Sequence, residues 1–426
     1  MKENYYDGES AETAFGTESR LKTLPDLAGM GVLKDLPQAL GALVPEGSKA
    51  LFIAGEGKSE QIVREVVARK YRISAAIVSD EDRAGGLKSF AASIKADEDV
   101  KLVVAAGDGR IADAGKFAAA RYRLPLCVVA LSQADINYHT FVSVLVGADG
   151  TSKYRAVKPS LAVFDYSLYP DSDVLTAAGF GAACARLTAA FDLYVYRLLD
   201  GDGNENSAFC DTAKIAAKLL SSDKITAAEA GESAAKLSAA AGSDPSILSG
   251  GTSGAAEILE ALKRKGGKTP KFRGENEMLL ALPLIRSYAA FFALLPALPV
   301  AVPDENLRAE LLAKKLGISP FATVRGNAAR NDFGDLGRKI YVLSEYRRDL
   351  AVRCVGIEKT LVFAAKRMKR LYKDKGYSYN NYVTANDLRI CFALAPDVRG
   401  AGATLKIMRQ AGYLEKLASD AAKIPA

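Results

Sequence analysis

The 426-residue sequence contains a single histidine, His139, and no tryptophan. One imidazole per chain excludes every intrachain site that needs two, including His-rich zinc centres and helical two-histidine metal motifs. The five cysteines, Cys127, Cys184, Cys210, Cys354 and Cys391, are never closer than 26 residues in sequence. A Cys-x-x-Cys structural zinc is therefore not expected, and sparse, unpatterned cysteines fit a reducing, cytoplasmic setting. No apolar run lies near the start, where Lys2, Glu3, Asp7 and Glu9 fall, so no secretory leader is expected. The longest apolar stretch, Met278 to Val302, holds Arg286 and is broken by Pro283, Pro296 and Pro299, which predicts a buried helix pair and no membrane contact. A net charge of +7 is modest for this length, and the basic cluster from Lys366 to Lys375 reads as a solvated helix face, so no nucleic-acid partner is expected.

What is present is ordinary globular composition, 49% apolar and 25% charged, enough to bury a sizeable core. Short apolar runs at Ala50–Ala54, Ala75–Val78, Leu102–Ala106 and Cys127–Leu131 alternate with amphipathic helices. Continuous Val-, Ile- and Leu-rich runs at this spacing are the signature of parallel strands covered on both faces. Phe141–Val146 and a turn at Gly147–Gly150 predict a hairpin-like excursion before a last strand at Leu161–Phe164. After Asp165, helical periodicity takes over to the end. The reading is an α/β chain with two domains: a doubly wound, Rossmann-like parallel sheet over 1–168, and an all-helical domain over 169–426. Ligands of such sheets bind beyond the carboxyl ends of the strands, in a cleft against the second domain.

Two glycine-rich turns follow strands. Gly55-Glu56-Gly57-Lys58-Ser59 resembles the end of a P-loop, but the earlier glycine required would fall at Phe52, inside a strand. Gly107-Asp108-Gly109 sits between a strand and a helix, where backbone amides can hold phosphate. No acidic residue follows at the spacing of a standard dinucleotide fingerprint. His139, within Asn137-Tyr138-His139-Thr140, reads as a hydrogen-bonded structural histidine before it reads as a base.

Several motifs together resemble the sn-glycerol-1-phosphate dehydrogenases, within the superfamily of iron-containing alcohol dehydrogenases, glycerol dehydrogenases and dehydroquinate synthases. Gly107 to Lys116 is similar to the family's Gly-Gly-Gly-x-x-x-Asp-x-x-Lys turn and helix, which carries Asp113 and Lys116 onto the matching positions. Gly179-Phe180-Gly181-Ala182 resembles Gly-x-Gly-Asp, followed by Thr188 and Asp192. Ser253-Gly254-Ala255-Ala256-Glu257 resembles Ser-Gly-Ala-Glu-His, and Arg273-Gly274-Glu275 resembles His-Gly-Glu. Ala395 to Arg399, Thr404-Leu405 and Gly412-Tyr413-Leu414 are similar to the closing helices. The resemblance implies an α/β-then-helical fold, an NAD(P) cofactor at Gly107, Asp108, Gly109, Asp113 and Lys116, and a divalent metal that polarises the substrate oxygen for hydride transfer.

The departures from that family define the functional expectation. The three metal-ligand positions are here Ala182, Glu257 and Arg273, of which one has no donor and one is a cation that cannot ligate. No metal is expected. Asp108 replaces the middle glycine, placing a Cβ and a negative charge where a pyrophosphate would approach, so NAD(P) binding is expected to be weak or absent and improved by Asp108→Gly. The leading expectation is a glycerol-1-phosphate dehydrogenase-like protein without metal-dependent dehydrogenase activity. The alternatives are an oxidoreductase acting on a small polyol phosphate without metal, using Arg273 as electrophile and His139 or Lys116 for the proton, and a binding protein that senses a phosphorylated metabolite or nucleotide. Homo-oligomerisation is left open. Arg273 is further expected to reach into the vacated metal position and pair with Glu257.

Overall fold

The computed structural model describes residues 22–147, 150–200, 207–243, 250–268, 270–295, 336–372, 382–397 and 403–414. Pro296, Pro299, Lys373, Lys375, Val398 and Arg399, and the tip of the expected hairpin turn at Ala148 and Asp149, lie outside them. The described chain falls into two compact units. The first comprises residues up to Gly179 together with Ile225–Ser243, and the second Phe180–Lys224 and the residues from 250 onward.

The first unit is built on a six-stranded sheet: β1 (Leu27–Gly29), β2 (Lys49–Ala54), β3 (Arg72–Ile77), β4 (Val100–Gly107), β5 (Leu126–Ala130) and β8 (Leu161–Asp165). The order is β1-β8-β5-β4-β2-β3, and every pairing is parallel. The four strands expected from the apolar runs are β2 to β5. Strand β1 adds an edge that the sequence reading did not place. Between β5 and β8 the chain forms an antiparallel hairpin, β6 (Val142–Gly147) and β7 (Gly150–Arg155), the expected excursion.

Strand side chains alternate between two cores because successive residues point to opposite faces. Ala50, Phe52, Ala54, Val104 and Val129 pack with Val63, Val66 and Val67 of α1 (Lys58–Ala68). Leu51, Ile53, Val103, Ala105 and Val128 pack on the other face with Ile111, Ala114 and Ala118 of α2 (Gly109–Tyr122). Helix α2 starts where β4 ends, at the carboxyl edge of the sheet. Helix α3 (Asp173–Asp200) follows β8, and α4 (Ala227–Ser243) returns to the first unit and packs against β1 and β8.

The second unit is helical in its described residues. Helix α5 (Gly251–Lys265) packs on α6 (Arg273–Leu294), and α6 packs on α7 (Arg347–Leu371). The stretch expected as a buried helix pair is, as far as Leu294, one continuous helix with Pro283 inside it. Both α3 and α6 are long and apolar enough to cross a membrane, and both are mostly buried in the protein, as core helices are.

Candidate functional site

The sequence-nominated residues form two groups. In the first unit, Gly107, Asp108 and Gly109 make the β4–α2 junction. Asp108 is the N-cap residue of α2: its Oδ1 accepts from the amides of Arg110 and Ile111, each at 3.1 Å. A carboxylate there satisfies orphan donors and complements the positive end of the helix. Its Oδ2 meets Arg83 Nη1 at 3.2 Å and Arg110 Nη2 at 2.9 Å. Burial works against ionisation of Asp108, but Arg110 and Arg83 hold its carboxyl below the usual range. The amide of Gly109 donates to Asp135 Oδ2 at 3.1 Å. Burial, reinforced by the charge of Asp108, raises the Asp135 carboxyl to about 6.

Asp113 and Lys116 lie further along α2 and are buried. Lys116 Nζ donates to Asp113 Oδ1 at 2.9 Å, the Asn137 carbonyl at 2.6 Å and Thr140 Oγ1 at 3.0 Å, with the Val142 carbonyl at 3.4 Å. An ammonium has three donors, so all are engaged: one by Asp113 on the same helix, the others in tying the 137–142 loop to it. His139 is placed as a structural residue: Nε2 lies 2.9 Å from Asp26, Nδ1 lies 2.8 Å from Ser238 Oγ, and the ring stacks on Phe164.

In the second unit, Ala182, Glu257 and Arg273 come from α3, α5 and α6. The α3–α6 approach is tight at this level: a Cβ on Gly181 would stand 2.7 Å from the Gly274 carbonyl oxygen, so only glycine lets the two backbones meet here. Each nitrogen of the Arg273 guanidinium has a partner in the protein. Its Nε reaches Glu277 Oε1 at 3.2 Å, its Nη1 reaches Glu260 Oε1 at 3.1 Å, and its Nη2 reaches the Ser253 carbonyl at 2.6 Å and Ser253 Oγ at 3.0 Å. The carboxylates that hydrogen-bond Arg273 are therefore Glu260 and Glu277, not the expected Glu257, which contributes charge. Burial disfavours the charged guanidinium, yet these three carboxylates hold it above its ordinary range. Glu277 is nearly inaccessible and also forms an ion pair with the fully buried Arg186, one turn along α3 from Ala182.

A divalent metal does not fit this donor set. Ala182 offers a methyl group, and the arginine at 273 fills the space between the helices with a cation that repels another. The carboxylates around it already face two guanidiniums. Among the described residues, no group of three or more His, Cys, Asp or Glu is placed to hold a metal ion.

No protein-family model matches the chain, and no curated protein matches it in sequence. Solved structures do. An iron-containing alcohol dehydrogenase from Corynebacterium glutamicum superposes with a TM-score of 0.52 at 16% identity, covering 95% of this chain and 97% of that one. The fold is that of the iron-containing alcohol dehydrogenases. The iron-containing alcohol dehydrogenase of Thermotoga maritima gives a TM-score of 0.51 at 15% identity over 95% of this chain and 98% of its own. A probable glycerol dehydrogenase from Sinorhizobium meliloti aligns at 0.47 and 15% identity over 76% of this chain and 97% of that chain. Within the iron-containing alcohol dehydrogenase fold, the parallel sheet of the first unit and the helices of the second are the architecture expected from the sequence.

The sequence reading missed Arg83, Arg186, Glu260 and Glu277. Three of these carry a usable signal. Arg186 is four residues after Ala182, Glu277 four after Arg273, and Glu260 three after Glu257, so each shares a helix face with a nominated position.

Proposed function

We propose that this chain is a dehydrogenase-fold protein that does not carry out metal-dependent alcohol oxidation, and that an internal ion-pair network stands where its relatives would hold a divalent cation. Arg273 carries the reading. Its guanidinium is held by Glu260, Glu277 and Ser253, three residues on the two helices that bear the nominated ligand positions 257 and 273. A side chain with every nitrogen engaged by the protein is fixed in place, and it neutralises the carboxylates a cation would need.

The metal-independent oxidoreductase is less well supported. It requires a mobile proton at Lys116 or His139, and Lys116 is buried among four acceptors while both ring nitrogens of His139 have partners. Arg273, its nominated electrophile, has its donors directed at protein atoms.

The test is metal loading followed by turnover. Purified protein is incubated with zinc, iron or nickel, desalted, and analysed for metal. It is then assayed for NAD(P)H oxidation with dihydroxyacetone phosphate and for NAD(P) reduction with glycerol-1-phosphate. The expected result is no stoichiometric metal and no metal-stimulated turnover. About one retained metal per chain, or activity that appears on loading and disappears with chelator, would overturn the proposal.

A further inference from the structure

The turn at the start of α2 is filled by the chain itself. In a doubly wound sheet the glycine turn after a strand leads into a helix whose first amides face a ligand phosphate. Here each of those amides has an internal acceptor. Gly109 donates to Asp135, Arg110 and Ile111 donate to Asp108 Oδ1, and Ala112 donates to the Asp108 carbonyl at 3.0 Å. The space that glycine leaves is taken as well. A Cβ on Gly109 would stand 2.6 Å from Asn137 Oδ1 and 2.9 Å from Asp135 Cγ, and one on Gly107 would stand 2.6 Å from Ile111 Cδ1. Both glycines are thus closely packed against side chains of the chain itself.

The charges are matched too. Asp108 and Asp135 face Arg83 and Arg110, two carboxylates against two guanidiniums, for a formal sum of zero. A pyrophosphate arriving at this turn would meet two carboxylates, with the nearest amides and guanidiniums already taken.

We infer that Asp108 is an internal occupant of the phosphate position, a carboxylate held by the same helix amides and by Arg83 and Arg110, so that the chain does not hold a dinucleotide through this turn. A pyrophosphate does not fit while Asp108 is in place. The groups that would bind one are present beneath it: two backbone amides and two guanidiniums. This inference concerns the first unit and stands apart from the metal reading, because its test contains no metal.

The experiment is calorimetric titration of the full chain at low salt with NAD, NADP and inorganic pyrophosphate. The wild-type protein is expected to give no saturable binding up to millimolar ligand. Asp108→Gly is expected to bind pyrophosphate at least tenfold more tightly than the wild type, with an affinity that falls as salt is added. Adding Arg83→Ala to that variant should remove the gain. Asp108→Asn keeps an oxygen that can cap the helix and loses only the charge, so it should fold normally and show a smaller, few-fold gain. Sub-millimolar binding by the wild type would overturn the inference. So would a folded Asp108→Gly with no gain, or a gain that survives Arg83→Ala. Should the glycine variant fail to fold, an Asp108→Asn protein indistinguishable from wild type towards pyrophosphate would overturn it equally.

Discussion

Glu277 is the residue on which the second-unit network turns, and Glu277→Gln measures it. Its carboxylate bridges two cations of different standing: Arg186, whose side chain is 1% exposed, and Arg273, at 34%. Glutamine keeps the shape and one acceptor and removes the charge. Arg186 would then face a neutral amide in place of the Glu277 carboxylate, and breaking a buried ion pair from one side costs roughly 3–5 kcal/mol. Glu260→Gln is the internal control. Its carboxylate is 15% exposed and serves the more accessible Arg273, which keeps Glu277, so the loss should be near 1 kcal/mol. For a unit of this size about 3–5 kcal/mol corresponds to a melting shift of roughly 6–20 °C. Calorimetric melting and urea unfolding of the two variants side by side give the comparison. The double replacement Arg186→Met with Glu277→Leu removes both charges together and should recover most of the loss, since paired burial is costly to break and cheap to replace. If Glu277→Gln melts within a degree or two of Glu260→Gln, or if the double variant is no better than the single one, the network is not a buried, charge-coupled unit and the reasoning fails.

Lys116→Met should destabilise the first unit by roughly 3–5 kcal/mol, because it leaves the buried Asp113 carboxylate without its ammonium, and Asp113→Asn in the same chain should restore part of that loss; urea unfolding checks both. Asp135→Asn tests pH linkage. Burial and the Asp108 charge raise the Asp135 carboxyl to about 6 in the folded protein, against about 4 when unfolded. The native state then binds the proton more tightly, so this residue's contribution to stability falls as pH rises from about 4 to about 6. The asparagine variant lacks that slope and should exceed the wild type at pH 7.5 by on the order of 3 kcal/mol while matching it near pH 4, as read from urea unfolding at the two pH values. Equal stabilities at pH 7.5 would count against the raised carboxyl.

The parallel sheet was legible because β2, β4 and β5 are nearly continuous apolar runs, as strands buried on both faces must be, while the edge strand β3 showed only the shorter run from Ala75. Strand β1, Leu27–Gly29, has three residues and no such run; it exists because it pairs with β8, a non-local fact. Helix α4 was legible as a helix from its alanine-rich periodicity. That periodicity does not say which core the helix serves, and α4 packs with the first unit although the chain on either side of it belongs to the second. At the site, alignment of ligand positions singled out Arg273 and paired it with Glu257, whereas its hydrogen bonds go to Glu260 and Glu277. An arginine reaches about one helical turn, 5.4 Å, from its own backbone, so its partners lie a turn away from the positions that a short ligating side chain would use. Asp108 was read as an obstacle to phosphate. Its preference for the N-cap position, visible in the sequence at a strand-to-helix junction, is the signal that would have shown it as the cap of α2.

The two substitutes proposed above, Arg273 and Asp108, have opposite signs, and in each case the surroundings dictate the sign. Around position 273 stand Glu257, Glu260 and Glu277, carboxylates on facing helices that repel one another unless a cation lies among them. Water screens poorly in a packed helical core, so the cation must be bound or built in, and Arg273 is built in with Arg186 behind it. At the start of α2 the situation is inverted. Orphan amides, the positive helix end, Arg83 and Arg110 together demand an anion, and Asp108 supplies it from within. A side chain tethered to its own helix is present at an effective concentration no free ligand matches, so the internal group wins the competition without needing strong bonds. Removing Arg273 takes a shared cation from Glu257, Glu260 and Glu277 and leaves Arg186 on Glu277 and Arg264 near Glu260, and removing Asp108 takes an acceptor from two guanidiniums and two amides. On the two proposals above, the scaffold would provide in covalent form the charges that ligands would otherwise bring.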